Sequence, residues 1–319
     1  KRDSSGFAAL RPQNDIWRRP GRHGLLPDQP VHTLRVGDIT VIGLSDGVMP
    51  CDQQALFPET PLALWDQYRA RFPECFTDVE VAVGRKTWFN TNIGVFAIKT
   101  GGKTVICDTG LGPEAKMFGF DGKKELLADM GAKGVGPDTV DTVFLTHLHG
   151  DHVGWNLLRD GPGFKPTFPK AKYAFGKADW DHFSKPDILS GPRGVTMHRS
   201  VLPLSEMGKL DLLTGERELA PGVTAVPSPG HTPGHMSLLI SSRNERAVVL
   251  GDLIGSPMQV TETDQPYSPD TDGPMGRASR KRMIDMAERE GMYVLASHLP
   301  KPGWGRLVRF QGRRYWQAL

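Results

Sequence analysis

Residues 146–156, THLHGDHVGWN, restrict the fold of this chain more than any other stretch. They place His147, His149, Asp151 and His152 directly after an apolar run that predicts a buried strand. Imidazoles and carboxylates are costly to bury without a partner, and both are common metal ligands. Alternate residues of an extended chain share a face, so the two leading histidines can point at one ion. Asp151 and His152 follow as the chain turns and can point at a second position, so the stretch predicts two incomplete metal sites.

Three further residues offer metal-ligand chemistry where an apolar segment meets a loop. His231 follows the turn-rich PSPG, Asp252 ends RAVVLGD and His298 ends MYVLASH. His235 competes with His231 for the same role. A mixed set of imidazole nitrogens and carboxylate oxygens suits Zn²⁺, with Mn²⁺, Fe²⁺ and Co²⁺ as alternatives. We therefore expect two divalent metal ions, with zinc favoured, and no closed structural zinc site, because the set contains no thiolate.

The composition indicates the broad class of protein and the cellular compartment to expect. The chain has 319 residues, 38% hydrophobic and 24% charged, with a formal net charge of +3. No stretch approaches the ~18 consecutive apolar residues of a membrane span, and the near balance of charge predicts no nucleic-acid partner. Cys107 is expected to be a buried thiol, whereas Cys51 and Cys75 could pair in an exported protein. Loop thiols are common in reduced proteins, so a cytoplasmic location is favoured over a periplasmic one.

The pattern of apolar runs and turn residues predicts two halves that each mix hairpins with helices. The expected elements are hairpins at 32–47, 93–110 and 305–317, helices at 61–72, 123–132 and 279–291, and strands within 140–146, 222–252 and 292–298. Two such halves indicate two mixed sheets packed face to face with helices outside. We expect one domain at 32–319, preceded by an arm at 1–31. The arm has too little apolar periodicity to fold alone, so we expect it to lie on the body or on a second subunit of a homodimer.

The motifs THLHGDH, GHTPGH, LGD and ASH, in this order, resemble those of the metallo-β-lactamase superfamily, over about residues 33–312. That resemblance implies an αββα sandwich of two mixed β-sheets with a dinuclear site between them. It assigns three residues to the first metal, three to the second and one carboxylate to both: His147, His149 and His231; Asp151, His152 and His298; and Asp252. It also matches Asp108, in CDTG, to an aspartate that supports the metal-binding loops.

The resemblance further implies metal-dependent hydrolysis. A hydroxide held between the two metals would attack an acyl carbon or a phosphorus atom, and the metals would stabilise the developing oxyanion. No serine or cysteine nucleophile is then required. Asp151 and Asp252 are the candidates for moving protons, although bonding to a metal limits that role.

The branch of the superfamily is indicated by departures from other branches. Classical zinc β-lactamases carry a cysteine where Asp252 stands. Many acyl-homoserine lactonases carry a tyrosine at the position of Gly255, which puts that specificity in question. GHTPGH, GDL and ASHLPKPGWGRLV resemble the methyl parathion hydrolase and lactonase branch, which acts on aryl esters, lactones and, in some members, organophosphate triesters. A metal-dependent nuclease or phosphodiesterase and a β-lactamase are the alternatives.

The substrate pocket is expected to be apolar. Aromatic residues near the motifs are candidates for its wall: Phe118, Phe120, Trp155, Trp180 and Trp304. No arginine or lysine lies within the motifs themselves, and an anionic substrate would need such a cation to offset its desolvation. We therefore expect a small neutral ester or lactone as substrate, with phosphotriesters as a secondary activity.

Overall fold

The computed structural model describes residues 32–81, 84–113 and 125–319. The expected arm at 1–31 and the candidates Phe118 and Phe120 lie outside these residues. The described strands of the first half are β1 (Thr33–Val36), β2 (Ile39–Asp52), β3 (Phe76–Val81), β4 (Gly84–Thr100), β5 (Lys103–Cys107), β6 (Thr142–Phe144), β7 (Leu157–Asp160), β8 (Gly163–Pro166), β9 (Lys172–Gly176) and β10 (Leu210–Leu213). Those of the second half are β11 (Arg217–Ala220), β12 (Val223–Pro227), β13 (Met236–Ser242), β14 (Glu245–Val249), β15 (Tyr293–Leu295), β16 (Trp304–Phe310) and β17 (Arg313–Ala318).

Helices lie between the strands of both halves. The described α-helices are α1 (Gln53–Leu56), α2 (Leu62–Arg71), α3 (Leu126–Ala132), α4 (Gly150–Val153), α5 (Lys177–Phe183), α6 (Pro186–Leu189), α7 (Gly194–Ser200), α8 (Leu202–Glu206), α9 (Met258–Thr261) and α10 (Gly273–Arg289). Short 3-10 helices span Pro73–Cys75, Pro137–Thr139 and Gly251–Leu253. No helix in these described ranges is long and apolar enough to cross a membrane.

The strands form two mixed sheets, as predicted. The first sheet has the order β1-β2-β4-β5-β6-β9-β10, with β3 paired to β4, and the second has the order β11-β12-β13-β14-β15-β16-β17. In the first sheet β5, β6, β9 and β10 run parallel, and in the second sheet β14 and β15 run parallel. The remaining pairs in both sheets are antiparallel. Parallel neighbours end at the same edge of a sheet, and this brings the loops after β5 and β6, and after β14 and β15, to shared edges.

Alternating side chains divide the interior into three apolar layers. In β5, Val105 and Cys107 join the core between the two sheets, whereas Ile106 joins the core between the first sheet and its helices. In β14, Val249 packs in the core between the two sheets, whereas Val248 packs in the core beneath α10. A strand buried on both faces has this pattern, because successive side chains point to opposite sides of the sheet. The layers establish the predicted αββα sandwich.

Most predicted elements are present, but β2 and β4 extend beyond the predicted hairpins and one helix begins earlier than expected. The hairpins turn at Gly37-Asp38 and Gly101-Gly102, as expected. Helix α10 begins at Gly273, earlier than the predicted start at 279, because Asp272 caps it: its carboxylate accepts a hydrogen bond of 3.0 Å from the backbone N–H of Met275. Pro274 stands in the first turn, where its missing N–H is tolerated. The three cysteines are free and buried.

Candidate metal centre

The loop after β6 carries the histidine-rich motif to one end of the sandwich. His149 has extended backbone angles (φ −72°, ψ 157°) and immediately precedes α4. His147 and His149 therefore leave an extended segment, and Asp151 and His152 leave a helical turn. Behind the turn, Gly154 packs directly on the 111–112 backbone, where a Cβ atom would lie 2.0 Å from the carbonyl of Leu111. Only glycine fits this contact, which sets the position of the loop.

Seven predicted ligand side chains meet at this end of the sandwich. Their possible ligand atoms form three overlapping groups, each within 4.8 Å: His147, His149 and His231; His147, His152 and Asp252; Asp151, His152 and His298. His149 is half-buried and the other members are buried. They arrive from four separate loops, after β6, β12, β14 and β15. The fold thus brings together all seven residues that the sequence motifs single out.

Asp252 lies between the histidines of the cluster. Its Oδ2 lies 3.4 Å from Nε2 of His231 and 3.9 Å from Nε2 of His147. Its Oδ1 lies 3.1 Å from Nε2 of His298 and 3.3 Å from Nε2 of His152. Nε2 of His298 also lies 3.2 Å from Oδ2. The carboxylate therefore faces four imidazoles, with His231 and His147 on the side of Oδ2, His152 on the side of Oδ1 and His298 close to both oxygens.

Several atoms at the centre that could bind a metal are buried without a hydrogen-bond partner among the described residues. Within the described residues, Nε2 of His147, His149 and His152 and Oδ1 of Asp252 make no hydrogen bond of acceptable geometry. Buried polar atoms are nearly always satisfied, so this concentration requires an explanation. His149 Nδ1 and His231 Nε2 also lie 3.0 Å apart. Imidazole nitrogens and carboxylate oxygens that converge in this way fit a pair of divalent cations.

The other nitrogen of several rings is held by a partner outside the cluster. His147 Nδ1 lies 3.0 Å from the hydroxyl of Thr146, and His298 Nδ1 lies 2.9 Å from the carbonyl of Asn92. His152 Nδ1 lies 2.9 Å from Oδ2 of Asp108. Such contacts fix the orientation of each ring and direct Nε2 towards the centre. Asp108 thus stands beside the cluster, where the resemblance places it.

A buried ion pair orients His231. Its Nδ1 lies 3.0 Å from Oδ1 of Asp270, and Oδ2 of Asp270 lies 3.3 Å from the guanidinium of Arg280. Arg280 is fully buried and also donates to the carbonyls of Leu253, at 2.5 Å, and Gln265, at 2.8 Å. Asp270 and Arg280 carry no motif in the sequence, and the sequence analysis missed both. A buried arginine in α10 thereby ties the segment after Asp252 to a histidine of the cluster.

Burial and neighbouring charges shift the pKa values of the cluster residues, and the direction differs from one residue to the next. Burial holds the pKa of His147 well below 6.5, and the neighbouring His152 and His231 lower it further. Burial also lowers the pKa of His152, but nearby carboxylates, Asp252 first, outweigh burial and raise that pKa well above its usual value. Burial raises the pKa of Asp252, but His298 and His152 hold it well below its usual range. Asp252 is therefore an anion, as a carboxylate that binds cations needs to be.

His235 stands beside the cluster but has no nitrogen to offer it. Its Nε2 accepts a hydrogen bond of 3.1 Å from the backbone N–H of Asp252, and its Nδ1 lies 3.1 Å from the carbonyl of Ser228. Burial, with a contribution from His231, lowers its pKa to about 3, so the ring is neutral. Of the two histidines in GHTPGH, the structure brings His231 into the cluster and uses His235 to hold the turn at Asp252.

A cavity of about 570 Å³ opens onto the cluster. His149, Asp151, Asp252 and His298 form its floor. Its walls combine apolar side chains with a few polar ones: Met49, Cys51, Ala55, Leu56, Thr91, Leu111, Pro192, Arg193, Thr196, Tyr267, Ser268 and Pro269. A small organic molecule could therefore reach the carboxylates and imidazoles from one side.

A family comparison agrees with this geometry. The family model for the Metallo-beta-lactamase superfamily matches residues 87–298. The chain belongs to the metallo-beta-lactamase superfamily. All seven cluster residues lie within the matched segment.

Relatives and solved structures that resemble this chain include lactonases and hydrolases. An N-acyl homoserine lactonase of Bacillus cereus is 24% identical over 165 residues, which are 52% of this chain and 58% of the lactonase. The chain thus spans somewhat more than half the length of that relative. The hydrolase AbOPH superimposes with a TM-score of 0.74 at 23% identity, covering 90% of this chain and 97% of AbOPH. The dizinc quorum-quenching lactonase AidC superimposes with a TM-score of 0.70 at 24% identity, covering 90% and 96%. At these identities the structural likeness shows the fold.

In this metallo-beta-lactamase domain, Tyr267 takes the space beside Gly255. A Cβ atom at Gly255 would lie 2.5 Å from the hydroxyl oxygen of Tyr267. The tyrosine ring stacks on His231 with centroids 5.7 Å apart and on Phe57 with centroids 5.1 Å apart. Position 255 carries no tyrosine, and the sequence did not predict that Tyr267, twelve positions later in a loop, would lie beside it. A small residue after LGD, followed by a loop tyrosine, is the signal that could have indicated it.

The tryptophans predicted for the pocket lie elsewhere in this domain. Trp155 is 8% exposed and packs in the core beneath the first sheet, with Trp180 packed against the same core. Trp304 is fully buried between the two sheets. None of the three lines the cavity above the cluster. Nearness in sequence to a motif did not predict which side of a sheet or helix each ring faces.

Proposed function

We propose that this chain is a metal-dependent hydrolase of esters and lactones that uses two divalent ions, with zinc favoured. The observation that carries the proposal is the position of Asp252, whose carboxylate lies within 4 Å of Nε2 of four histidines, with His231 and His147 nearer Oδ2 and His152 nearer Oδ1. In this proposal three residues hold one ion, three hold the other, and one carboxylate is shared: His147, His149 and His231; Asp151, His152 and His298; and Asp252.

The comparisons support the reaction class. The curated relatives include N-acyl homoserine lactonases of several Bacillus strains, and AidC is described as a dizinc lactonase. Superfamily membership makes hydrolysis at a metal centre the natural expectation for the seven clustered residues. The substrate class proposed from these relatives is a lactone or ester whose reacting group is neutral, which also suits the largely apolar walls of the cavity.

Bound divalent ions would lower the pKa of water towards about 7 and polarise a carbonyl oxygen. The chain's own residues then divide the remaining tasks. Asp151 and Asp252 face the cavity floor, where a carboxylate can hold or pass a proton. Met49, Leu56 and Leu111 offer an apolar wall for an acyl chain.

Tyr267 is suited to orient the reacting group. Burial raises the pKa of Tyr267 well above 10, and Asp252 and Asp151 raise it further. The phenol therefore stays protonated at neutral pH and can donate a hydrogen bond to a carbonyl oxygen held above the cluster. Its stacking against His231 and Phe57 restricts the ring, so little rotational freedom is lost when a substrate binds.

A substrate panel tests the proposal. We expect metal-loaded protein to have the largest kcat/KM for a δ-lactone or an aryl ester, a smaller value for a neutral phosphotriester, and the smallest values for a penicillin and an anionic phosphodiester. Activity should disappear with a chelator and return with Zn²⁺ or Mn²⁺. If the phosphodiester were the best substrate, the nuclease alternative would replace this proposal, and a preference for the penicillin would favour a β-lactamase.

The assembly is also a proposal. We propose one domain at 32–319 that forms a homodimer, with the arm at 1–31 expected to lie on the body or on the second subunit. The motive is the composition of the arm, which is rich in arginine, proline and glycine and lacks apolar periodicity. A monomer mass in light scattering at micromolar concentration would count against it.

A further inference from the structure

The cavity contains a cation that the motifs did not predict. Arg193 lines it beside Pro192 and Thr196, and among the described lining residues it is the single arginine or lysine. The motifs themselves hold no arginine or lysine, but the cavity that opens onto them does. Arg193 lies far from the motifs in sequence but faces the same cavity as Asp151 and Asp252.

The backbone that carries Arg193 is fixed by close packing. Arg193 immediately precedes α7, and the next residue, Gly194, approaches the preceding helix so closely that a Cβ atom would lie 1.9 Å from the carbonyl oxygen of Leu189. The backbone N–H of Gly194 also donates to the carbonyl of Gly191 at 3.0 Å. One turn into α7, the hydroxyl of Thr196 lies 3.3 Å from the place of a Cβ atom on Gly150, which begins α4. The base of Arg193 is thus held against the loop of the metal cluster.

The guanidinium of Arg193 has no partner among the residues that the structure describes. In the described ranges no carboxylate lies within 4.0 Å of it, and it makes no hydrogen bond. Other exposed arginines are paired, such as Arg217 with Asp211 and Arg309 with Glu288. A rim arginine that faces a cavity and has no internal partner is available to a ligand.

We propose that Arg193 binds a carboxylate on the acyl part of the substrate, so that the preferred esters or lactones carry an acid group at the end remote from the reacting carbonyl. This inference rests on the proposed ester or lactone hydrolysis at the same site. The planar guanidinium matches the two oxygens of a carboxylate, which a lysine does not. In this arrangement the reacting carbonyl lies over Asp252 and the metal ligands and the acid group lies at Arg193. Apolar side chains that line the same cavity, such as Met49 and Leu56, are available to the methylene groups of the acyl chain.

A matched pair of esters separates this role from general catalysis. The probes are 4-nitrophenyl hydrogen glutarate and its methyl ester, which share the leaving group and differ in the free acid. We expect the metal-loaded wild type to favour the free acid by about ten-fold in kcat/KM, as a charge-assisted hydrogen bond would give. Arg193→Gln should abolish that preference by raising KM for the free acid, with the methyl ester changed less than about two-fold. Arg193→Lys should retain part of it.

A control variant and a binding measurement complete the test. Lys185→Gln removes an exposed charge near α6 that does not line the cavity, and it should leave both esters unchanged. Calorimetry with glutarate as the probe should show about ten-fold weaker binding to Arg193→Gln than to wild type, with equal metal content in both. Equal effects of Arg193→Gln on both esters, or unchanged glutarate binding, would overturn the inference. If the wild type hydrolysed neither ester, the proposed function would fail, and the glutarate arm would still decide whether Arg193 binds a carboxylate.

Discussion

The Asp252→Ala variant should contain fewer than two metal ions per chain and should lose at least ~100-fold in kcat/KM for an ester or lactone. The physical reason is the carboxylate's position: Oδ2 lies 3.4 Å from Nε2 of His231, and Oδ1 lies 3.1 Å from Nε2 of His298. Its removal takes one anionic ligand from each proposed site, and it leaves several buried imidazoles without a negative charge. Elemental analysis and steady-state kinetics on the same preparation measure both effects.

Asp108→Ala is the matched control for this prediction. Asp108 is also fully buried, but it contacts the outer nitrogen of His152 and the backbone and hydroxyl of Thr146. Its loss should loosen one ligand and reduce metal affinity by ~10–100-fold, without removing a ligand. Asp252→Asn keeps the volume of the side chain and guards against a folding defect. Equal metal content in wild type and Asp252→Ala would refute the shared carboxylate.

The Asp270→Asn variant should bind its more weakly held metal ion ~10–100-fold less tightly than the wild type does. Asp270 accepts from His231 and faces Arg280, and the side chains of all three are almost completely buried. An amide has the same shape but lacks the charge that fixes the histidine tautomer, so the ring of His231 becomes free to turn away. Titration of metal-depleted protein with Zn²⁺ against a competing chelator measures the change.

A purely structural role for Asp270 predicts a different result. Loss of the ion pair with Arg280 alone would lower the unfolding temperature of metal-free protein and leave the metal affinity of the folded protein unchanged. Asp285→Asn supplies the control, since Asp285 lies on α10 like Arg280 but pairs with Lys281 and Arg314 at the surface. We expect Asp285→Asn to leave metal affinity at the wild-type value. Matching affinities for wild type and Asp270→Asn would remove Asp270 from the account of the metal centre.

Local sequence patterns predicted several strands of the fold and the candidate ligands that follow them. The dense motif at residues 147–152 follows a strand, and Asp252 and His298 each end another apolar strand. Because β5 runs parallel to β6, and β14 to β15, loops from these strands had to meet at shared sheet edges. Strand patterns marked these residues as candidate ligands, and the resemblance of the four motifs to the metallo-β-lactamase superfamily assigned them to one centre before the tertiary structure was known.

The surroundings of the cluster could not be predicted in this way. Asp270, Tyr267 and Arg193 lie in loops or at a helix start, and none belongs to a repeating pattern. Their roles arise from tertiary contacts: Asp270 meets His231 across 39 positions of sequence, and Tyr267 fills the space beside Gly255. Trp304 was predicted to line the pocket because it lies near His298 in sequence. Its strand instead directs the side chain into the core between the two sheets. Which face a side chain takes depends on packing that distance along the chain does not encode.

The metal content of the wild-type protein, purified without chelators, tests the central claim most directly. The account predicts two transition-metal ions per chain by elemental analysis, with hydrolytic activity that is lost on metal removal and restored by Zn²⁺ or Mn²⁺. The expectation rests on the seven converging candidate ligands and on the unsatisfied buried atoms of His147, His149, His152 and Asp252. Fewer than one ion per chain, with no activity regained when metal is added, would contradict it.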